Sequence, residues 1–241
     1  MQTTIVIPCY NEAKRLNGEA FKDYADKNPD VSFLFVNDGS KDNTIDVLKD
    51  LCEGESRLQY MDLERNGGKA EAVRLGMLHA AENTDSEYIG FWDADLATPL
   101  FEIGNFLREM QRGDYSIVTG LRLKRLGNGV CRKALRHYLG RCFATAAAVG
   151  LQLPVYDTQC GAKLYKASIV PTLFATPFIT RWLFDVELLA RYKKIYSIEK
   201  ALTDIYEYPL LEWKEVTGSQ IKMRDFIKGP YELLKIINHY R

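Results

Sequence analysis

Short apolar runs alternate with longer amphipathic stretches through the first half of the chain. Residues 4–8, 33–37, 58–63, 88–93 and 115–120 read as buried strands. Helical spacing is predicted over 12–27, 41–52, 69–82 and 99–111. Strands that are apolar throughout, separated by helices, predict an α/β fold: a Rossmann-like, mostly parallel central sheet with helices on both faces.

The second half follows a different pattern. A basic loop over 122–133 leads into a small-residue helix over 132–151. A polar turn is predicted at 157–163, a helix at 180–192 and a strand at 198–208. The segment 223–240 is amphipathic, with Phe226, Ile227, Tyr231, Leu234, Ile237 and His239 interrupted by Gly229-Pro230. No Ser/Gly linker, internal repeat or low-complexity tract divides the chain, so residues 1–241 are expected to form one domain.

Ligands of such sheets bind beyond the carboxyl ends of the strands. The polar clusters Asn11-Glu12, Asn37-Asp38-Gly39-Ser40, Asn66-Gly67-Gly68-Lys69 and Asp93-Ala94-Asp95 all fall there, and are expected to converge on one edge. Asp93 and Asp95, one residue apart at a strand end, can hold a hard divalent cation if a diphosphate supplies the other oxygens. Gly67 and Gly68 let a backbone approach a ligand closely, and Lys69 at a helix N-terminus favours a diphosphate. The carboxylate of Asp38 could accept from a nucleobase N–H or a ribose hydroxyl. Taken one at a time, each cluster also reads as a solvated turn or a helix cap.

Composition and charge narrow the partners. In 241 residues, 46% hydrophobic and 27% charged is ordinary globular composition, long enough for a sizeable core. Balanced totals of 32 basic and 32 acidic residues argue against a nucleic-acid partner. The balance hides an asymmetry. Residues 115–156 contain no Asp or Glu but carry Arg122, Lys124, Arg125, Arg132, Lys133, Arg136 and Arg141. This stretch is either a solvated basic helix or the seat of a discrete anion, such as a phosphate or a lipid head group. Cysteines at 9, 52, 131, 142 and 160 are odd in number and irregular in spacing. That disfavours a disulfide framework or a zinc site and suits a reducing cytoplasm. The N-terminus does not read as a signal peptide, and the weakly polar run 142–155 is too short and polar to span a bilayer.

In chain order, Val6-Ile7-Pro8-Cys9-Tyr10-Asn11-Glu12, Val36-Asn37-Asp38-Gly39-Ser40, Asn66-Gly67-Gly68-Lys69-Ala70 and Asp93-Ala94-Asp95 resemble the family 2 glycosyltransferases. Three later segments resemble the branch represented by dolichyl-phosphate β-glucosyltransferases. They are Asp157-Thr158-Gln159-Cys160-Gly161-Ala162-Lys163, Arg181-Trp182-Leu183-Phe184-Asp185-Val186-Glu187-Leu188-Leu189, and Trp213-Lys214-Glu215-Val216 with Gly218-Ser219. Dolichyl-phosphate mannose synthases share the first half but match these segments less well. The resemblance covers roughly 4–221.

The resemblance implies a GT-A fold with a nucleotide-sugar half over 1–120 and an acceptor half over 121–241. It places Pro8, Tyr10, Glu12 and Asp38 around the nucleoside, and Lys69, Asp93 and Ala94 along the nucleotide. Asp95, with Asp93, would hold Mg2+ or Mn2+ on the diphosphate. Arg122 is implied near the acceptor phosphate, with Arg132 or Arg136 as a second clamp. Lys214 stands where mannose synthases place an arginine on the donor phosphates. Those synthases also carry a metal-binding Gln where this chain has Ala97, which implies a thinner or differently built metal shell.

The implied reaction is inverting hexose transfer from UDP-glucose, with GDP-mannose the other candidate donor, to a polyprenyl or dolichyl phosphate. Such a phosphomonoester, with a second pKa of about 6, is already a nucleophile, and needs cationic clamps more than a base. The implied location is peripheral, at the cytoplasmic face of a membrane, through the surface itself or an anchoring subunit. Two other readings stay open: a soluble or glycan acceptor in cell-surface polysaccharide synthesis, and a non-catalytic sugar-nucleotide-binding subunit. The oligomeric state is undetermined. Of the remaining polar residues, Arg181 is expected to pair with a local acid. At most one of Asp185 and Glu187 should point inward, because i and i+2 do not share a helix face.

Overall fold

A computed structural model describes residues 1–124, 126, 129–131, 134–216 and 223–241, with the side chains of 131, 134–139 and 223–227 outside that description. The strands are β1 (Thr3–Cys9), β2 (Val31–Asp38), β3 (Leu58–Leu63), β4 (Tyr88–Trp92), β5 (Ile117–Leu121), β6 (Gly129–Cys131), β7 (Ala162–Lys166), β8 (Ile205–Pro209) and β9 (Glu212–Lys214). The helices are α1 (Gly18–Lys27), α2 (Thr44–Cys52), α3 (Lys69–Asn83), α4 (Phe101–Gly113), α5 (Ala134–Leu151), α6 (Val170–Leu173), α7 (Phe184–Tyr196), α8 (Ile198–Asp204) and α9 (Met223–Tyr240).

Seven strands form one sheet in the order β3-β2-β1-β4-β7-β5-β8, and β6 pairs with β9 in a separate ribbon. Neighbours in the large sheet run parallel except at β7, which is antiparallel to both β4 and β5. Alternate side chains of each strand enter opposite cores, as the pleat requires. Ile5, Ile7, Phe33, Phe35 and Trp92 pack with Phe21, Leu48, Ile103 and Phe106 of α1, α2 and α4. Val6, Leu34, Val36, Ile89 and Phe91 pack on the other face with Val73, Met77, Phe184 and Leu188 of α3 and α7. Both faces are covered, which is why these strands read as continuous apolar runs.

Several element boundaries differ from the sequence expectation. The helix expected from 12 starts at Gly18. Asn11 has φ 54°, and the amides of Glu12 and Ala13 donate to Thr44 Oγ1 at 2.8 and 3.1 Å instead of entering a helix. The helix expected from 41 starts at Thr44, because Lys41 N is committed to Asn11 Oδ1 at 2.9 Å. The helix expected from 180 starts at Phe184, after Thr180 Oγ1 has accepted from Leu183 N at 3.2 Å. The strand expected over 198–208 is two elements: Ser197 caps α8 by accepting from Lys200 N, and only then does β8 begin. The polar turn expected through 163 ends earlier, and β7 pairs Ala162 with Trp92 and Lys163 with Thr119.

Helix α3 lies close on the sheet because Gly76 faces it. A Cβ there would come 2.5 Å from Val6 Cγ1 and 2.8 Å from Val36 Cγ2. Gly76→Val should therefore destabilise the fold by about 1–3 kcal/mol through overpacking. Urea unfolding read by tryptophan fluorescence measures it, and an unchanged midpoint would contradict the packing described.

Candidate active site

The polar strand ends do converge. A cleft of about 530 Å3 is lined by residues following β1 (Tyr10, Glu12, Arg15), ending β2 (Asp38), following β3 (Asn66, Gly68, Lys69) and following β4 (Asp93, Ala94, Asp95), together with Pro8, Cys9 and Arg181.

Asp38, 2% exposed, organises one wall. Its carboxylate accepts from Gly67 N at 2.7 Å, Gly68 N at 2.9 Å and Asn66 Nδ2 at 2.9 Å. Gly68 has φ 87°, a conformation that favours glycine and turns the chain into α3. Burial raises the Asp38 pKa, and the two glycine amides oppose that rise. Three of its roughly four lone-pair sites are taken, leaving one for a ligand donor. Glu12 is held by Arg15 through contacts of 3.1 and 2.5 Å; burial raises its pKa and Arg15 counters it.

The opposite wall is built on β4 and β7. Asp93 accepts from Lys69 Nζ. Its carboxylate rests on Gly161, where a Cβ would lie 1.7 Å from Asp93 Oδ2. Asp95 Oδ1 accepts from Ala97 N at 3.0 Å. Burial, then the charge of Asp93, raises the Asp95 pKa. Behind this wall Lys163, 3% exposed, donates to Cys160 O and Asp185 Oδ1, both at 2.6 Å. Burial raises the Asp185 pKa against the opposing charges of Lys163 and Lys69.

All of Pro8, Tyr10, Glu12, Asp38, Lys69, Asp93, Ala94 and Asp95 thus line one cleft. The expected phosphate-clamping residues are placed differently. Arg122 makes a two-point ion pair with Asp157, with both contacts at 2.7 Å, and donates to Gln159 O at 2.8 Å. Its guanidinium also stands 5.4 Å from the Trp213 ring centroid. Lys214 has an exposed side chain, while its amide donates to Ala97 O at 3.0 Å. Neither Arg122 nor Lys214 is among the residues lining the cleft. Arg132, Gly218 and Ser219 lie outside the described residues, as does the Arg136 side chain.

Two expectations are corrected. Asp185 and Glu187 are both buried, at 6% and 0% exposure. They do face different ways, Asp185 to Lys163 at 2.6 Å and Glu187 to Arg191 and the Tyr240 hydroxyl, both at 2.8 Å. Helix α7 is simply enclosed on more than one side. Among the described residues Arg181 forms no ion pair with an acid. It bonds the carbonyls of Asn66 and Gly67 and lines the cleft. Gly161 is the other residue sequence reasoning passed over; the available signal was a glycine standing where a buried strand meets another strand's acidic end.

The carboxylates suit a hard cation. Two oxygen donors with raised repulsion face the cleft, and Mg2+ or Mn2+ prefers such ligands. Among the described residues no group of three His, Cys, Asp or Glu side chains could hold a metal ion. Asp93 and Asp95, at the end of β4, are cleft carboxylates that could supply oxygens to such an ion if a diphosphate supplied the rest.

A family model described as "Glycosyl transferase family 2" matches residues 4–174. A dolichyl-phosphate beta-glucosyltransferase of Trichomonas vaginalis is 32% identical, over 99% of this chain and 73% of that protein. The Homo sapiens dolichyl-phosphate beta-glucosyltransferase is 30% identical, over 91% of this chain and 69% of its own. Among solved structures, glucosyl-3-phosphoglycerate synthase from Mycobacterium tuberculosis in complex with Mn2+, UDP and phosphoglyceric acid superposes with a TM-score of 0.69. It is 16% identical, over 99% of this chain and 78% of that one.

Cys9 lines the cleft, yet its thiol is buried and burial pushes its pKa far up; burial likewise pushes Cys160 up to about 11. Neither is a nucleophile in the folded state. A thiol reagent followed by peptide mass mapping should label exposed Cys142 first and reach Cys9 and Cys160 only on unfolding. Rapid labelling of Cys9 in the native protein would contradict the buried placement.

Proposed function

The chain belongs to glycosyl transferase family 2, and we propose that it transfers a hexose, with inversion, from a nucleoside diphosphate sugar to the phosphate of a polyprenyl or dolichyl lipid. The fold is that of GT-A glycosyltransferases, and the chain is a glycosyltransferase. UDP-glucose is the proposed donor: the names of the β-glucosyltransferase relatives support the glucose, and the UDP complex of the structural neighbour supports the uridine diphosphate.

The observation that supports this reading is that each carboxylate in the cleft has a partner on at least one oxygen, the open site of Asp38 being assigned to the nucleoside and the open oxygens of Asp93 and Asp95 to a cation. Glu12 is paired with Arg15, Asp38 with the loop amides, Asp93 with Lys69, and Asp95 with Ala97 N. An alcohol acceptor requires a carboxylate free to take its proton. A phosphomonoester does not, because it is largely dianionic at neutral pH. One of its oxygens attacks the anomeric carbon from the face opposite the diphosphate. The bond from that carbon to the β-phosphate oxygen breaks, and its electron pair departs on UDP without any proton transfer. An α-linked donor then yields a β-linked lipid-phosphosugar.

In this scheme Asp38, with Pro8, Tyr10 and Glu12, positions the nucleoside, and Lys69 lies along the diphosphate. Mg2+ or Mn2+ held by Asp93 and Asp95 would supply Lewis-acid stabilisation of charge on the leaving diphosphate. Gly161 keeps Asp93 in line by offering it no side chain. Arg122, with Arg132 or Arg136, remains the proposed acceptor-phosphate group, reached from the basic stretch.

A competition assay tests donor and acceptor together: a short polyprenyl phosphate, Mg2+, isotope-labelled UDP-glucose and unlabelled GDP-mannose, with the lipid product weighed by mass spectrometry. A labelled hexosyl-phosphate lipid is expected. An unlabelled one would overturn the donor, and transfer only to a soluble acceptor would overturn the lipid reading. Asp95→Ala should lower the rate roughly 100-fold or more, as loss of charge stabilisation in a transition state does.

The acceptor lipid places the reaction at a membrane surface, and free cysteines at 9, 52, 142 and 160 suit its cytoplasmic face. No helix among the described residues is long and apolar enough to cross a membrane. Contact through the basic stretch predicts flotation with anionic liposomes that falls away as salt rises above about 0.15 M. Salt-independent absence of flotation would leave an anchoring subunit as the route to the lipid.

A further inference from the structure

Three cations and four carboxylates line the cleft. Two of the cations are already neutralised, Arg15 by Glu12 and Lys69 by Asp93. Arg181 is different. It is exposed, and among the described residues it forms no ion pair. Its Nε donates to Gly67 O at 3.1 Å, and its Nη2 to Asn66 O at 3.4 Å and Asn66 Oδ1 at 3.3 Å. All three acceptors are neutral, so the positive charge stays uncompensated at contact range. Its Nη1 amino group has no partner among the described residues.

The loop it grips is the one that opens α3. Asp38 takes the amides of Gly67 and Gly68, while Arg181 takes the carbonyls of Asn66 and Gly67. The guanidinium lies against Gly68, where a Cβ would stand 3.0 Å from Nε and 3.2 Å from Nη2. A guanidinium held to the loop through Nε and Nη2 keeps the two N–H donors of Nη1 for phosphate oxygens.

We propose that Arg181 is the donor-diphosphate residue supplied by the second half of the chain. The assignment rests on the reading of the cleft as a nucleotide-sugar site, and deepens it. The loop bonds hold the guanidinium in place before the donor arrives, and its Nη1 group meets the diphosphate. Arg181 thereby ties the phosphates to the segment that leads into α7 and to Asp185. Lys214, exposed on β9 and outside the cleft lining, is not required for this contact.

Calorimetric titration of the whole chain with UDP, GDP and the two nucleosides tests this, with equal Mg2+ throughout. In Arg181→Gln the diphosphate that binds wild type should weaken about 10- to 100-fold, the usual scale for a lost hydrogen bond to a charged group. Its nucleoside should change less than about twofold, because nucleoside contacts survive. Arg181→Lys, which keeps the charge but not the guanidinium, should fall between wild type and Arg181→Gln for the diphosphate. Equal losses for diphosphate and nucleoside would make Arg181 a strut for the loop and overturn the proposal. So would an unchanged diphosphate affinity, or a lysine variant no better than the glutamine one. If wild type bound neither diphosphate, the nucleotide-sugar reading itself would fall, and the Arg181 assignment with it.

Discussion

The carboxylate of Asp93 occupies the space that any side chain at 161 would need, and the two halves of the molecule are built around that constraint. A Cβ on Gly161 would stand 1.7 Å from Asp93 Oδ2 and 2.3 Å from Cγ. This closeness follows from the sheet. Strand β7 enters antiparallel between β4 and β5, and its register sets Ala162 opposite Trp92. The residue before Ala162 is thereby laid beside the residue after Trp92. A reversed strand in an otherwise parallel sheet brings a loop of the second half to the carboxyl ends where the first half has gathered its polar residues.

Charge alternates outward from that contact. Lys69 holds Asp93 at the cleft, and Lys163 holds Asp185 behind it. Lys69 loses solvation at the cleft floor, which lowers its pKa, but the charges of Asp93 and Asp185 outweigh this and raise it. The Lys163–Asp185 pair lies at 4% and 8% side-chain exposure. A pair so buried contributes little net stability, because desolvation consumes most of the Coulomb gain, but either charge alone would be strongly destabilising. It therefore acts as a geometric lock: β7 and α7 must dock together or leave a charge bare. The same docking brings Arg181, three residues before α7, to the cleft.

The sheet and the converging polar ends were legible because they follow from periodicity and from one topological rule. Continuous apolar strands imply two covered faces, and the ligand edge follows from strand direction. What escaped was whatever depends on distant partners. Strand β7 carries Lys163 and Lys166 and reads as polar, since nothing local announces that Asp185 and Asp114 will meet those ammonium groups. Glu12 to Asn17 has helix-compatible residues, but Thr44 captures two of its amides. Asp185 and Glu187 obey the helical wheel, yet the wheel presumes a wet face that α7 lacks from Phe184 to Tyr192. Arg181 was visible as a residue type but not as a role, because its acceptors are backbone carbonyls more than a hundred positions away.

The basic stretch shows how a charge count along the chain differs from a charge in space. The acid-free window closes at Tyr156, and the next residue, Asp157, is the counter-charge of Arg122. Arg141 folds back on the same corner, with its guanidinium carbon 3.2 Å from the Tyr156 ring centroid and Nη1 donating to Tyr156 O at 2.7 Å. Glu207 completes the corner by accepting the amides of Tyr156 and Asp157, both at 2.7 Å. The first and last cations of the stretch are thus drawn to one point, and the chain between them is closed into a loop. Arg122 serves that arrangement through Asp157 whether or not it also meets a phosphate. An incoming anion must therefore compete with a two-point carboxylate contact to claim it.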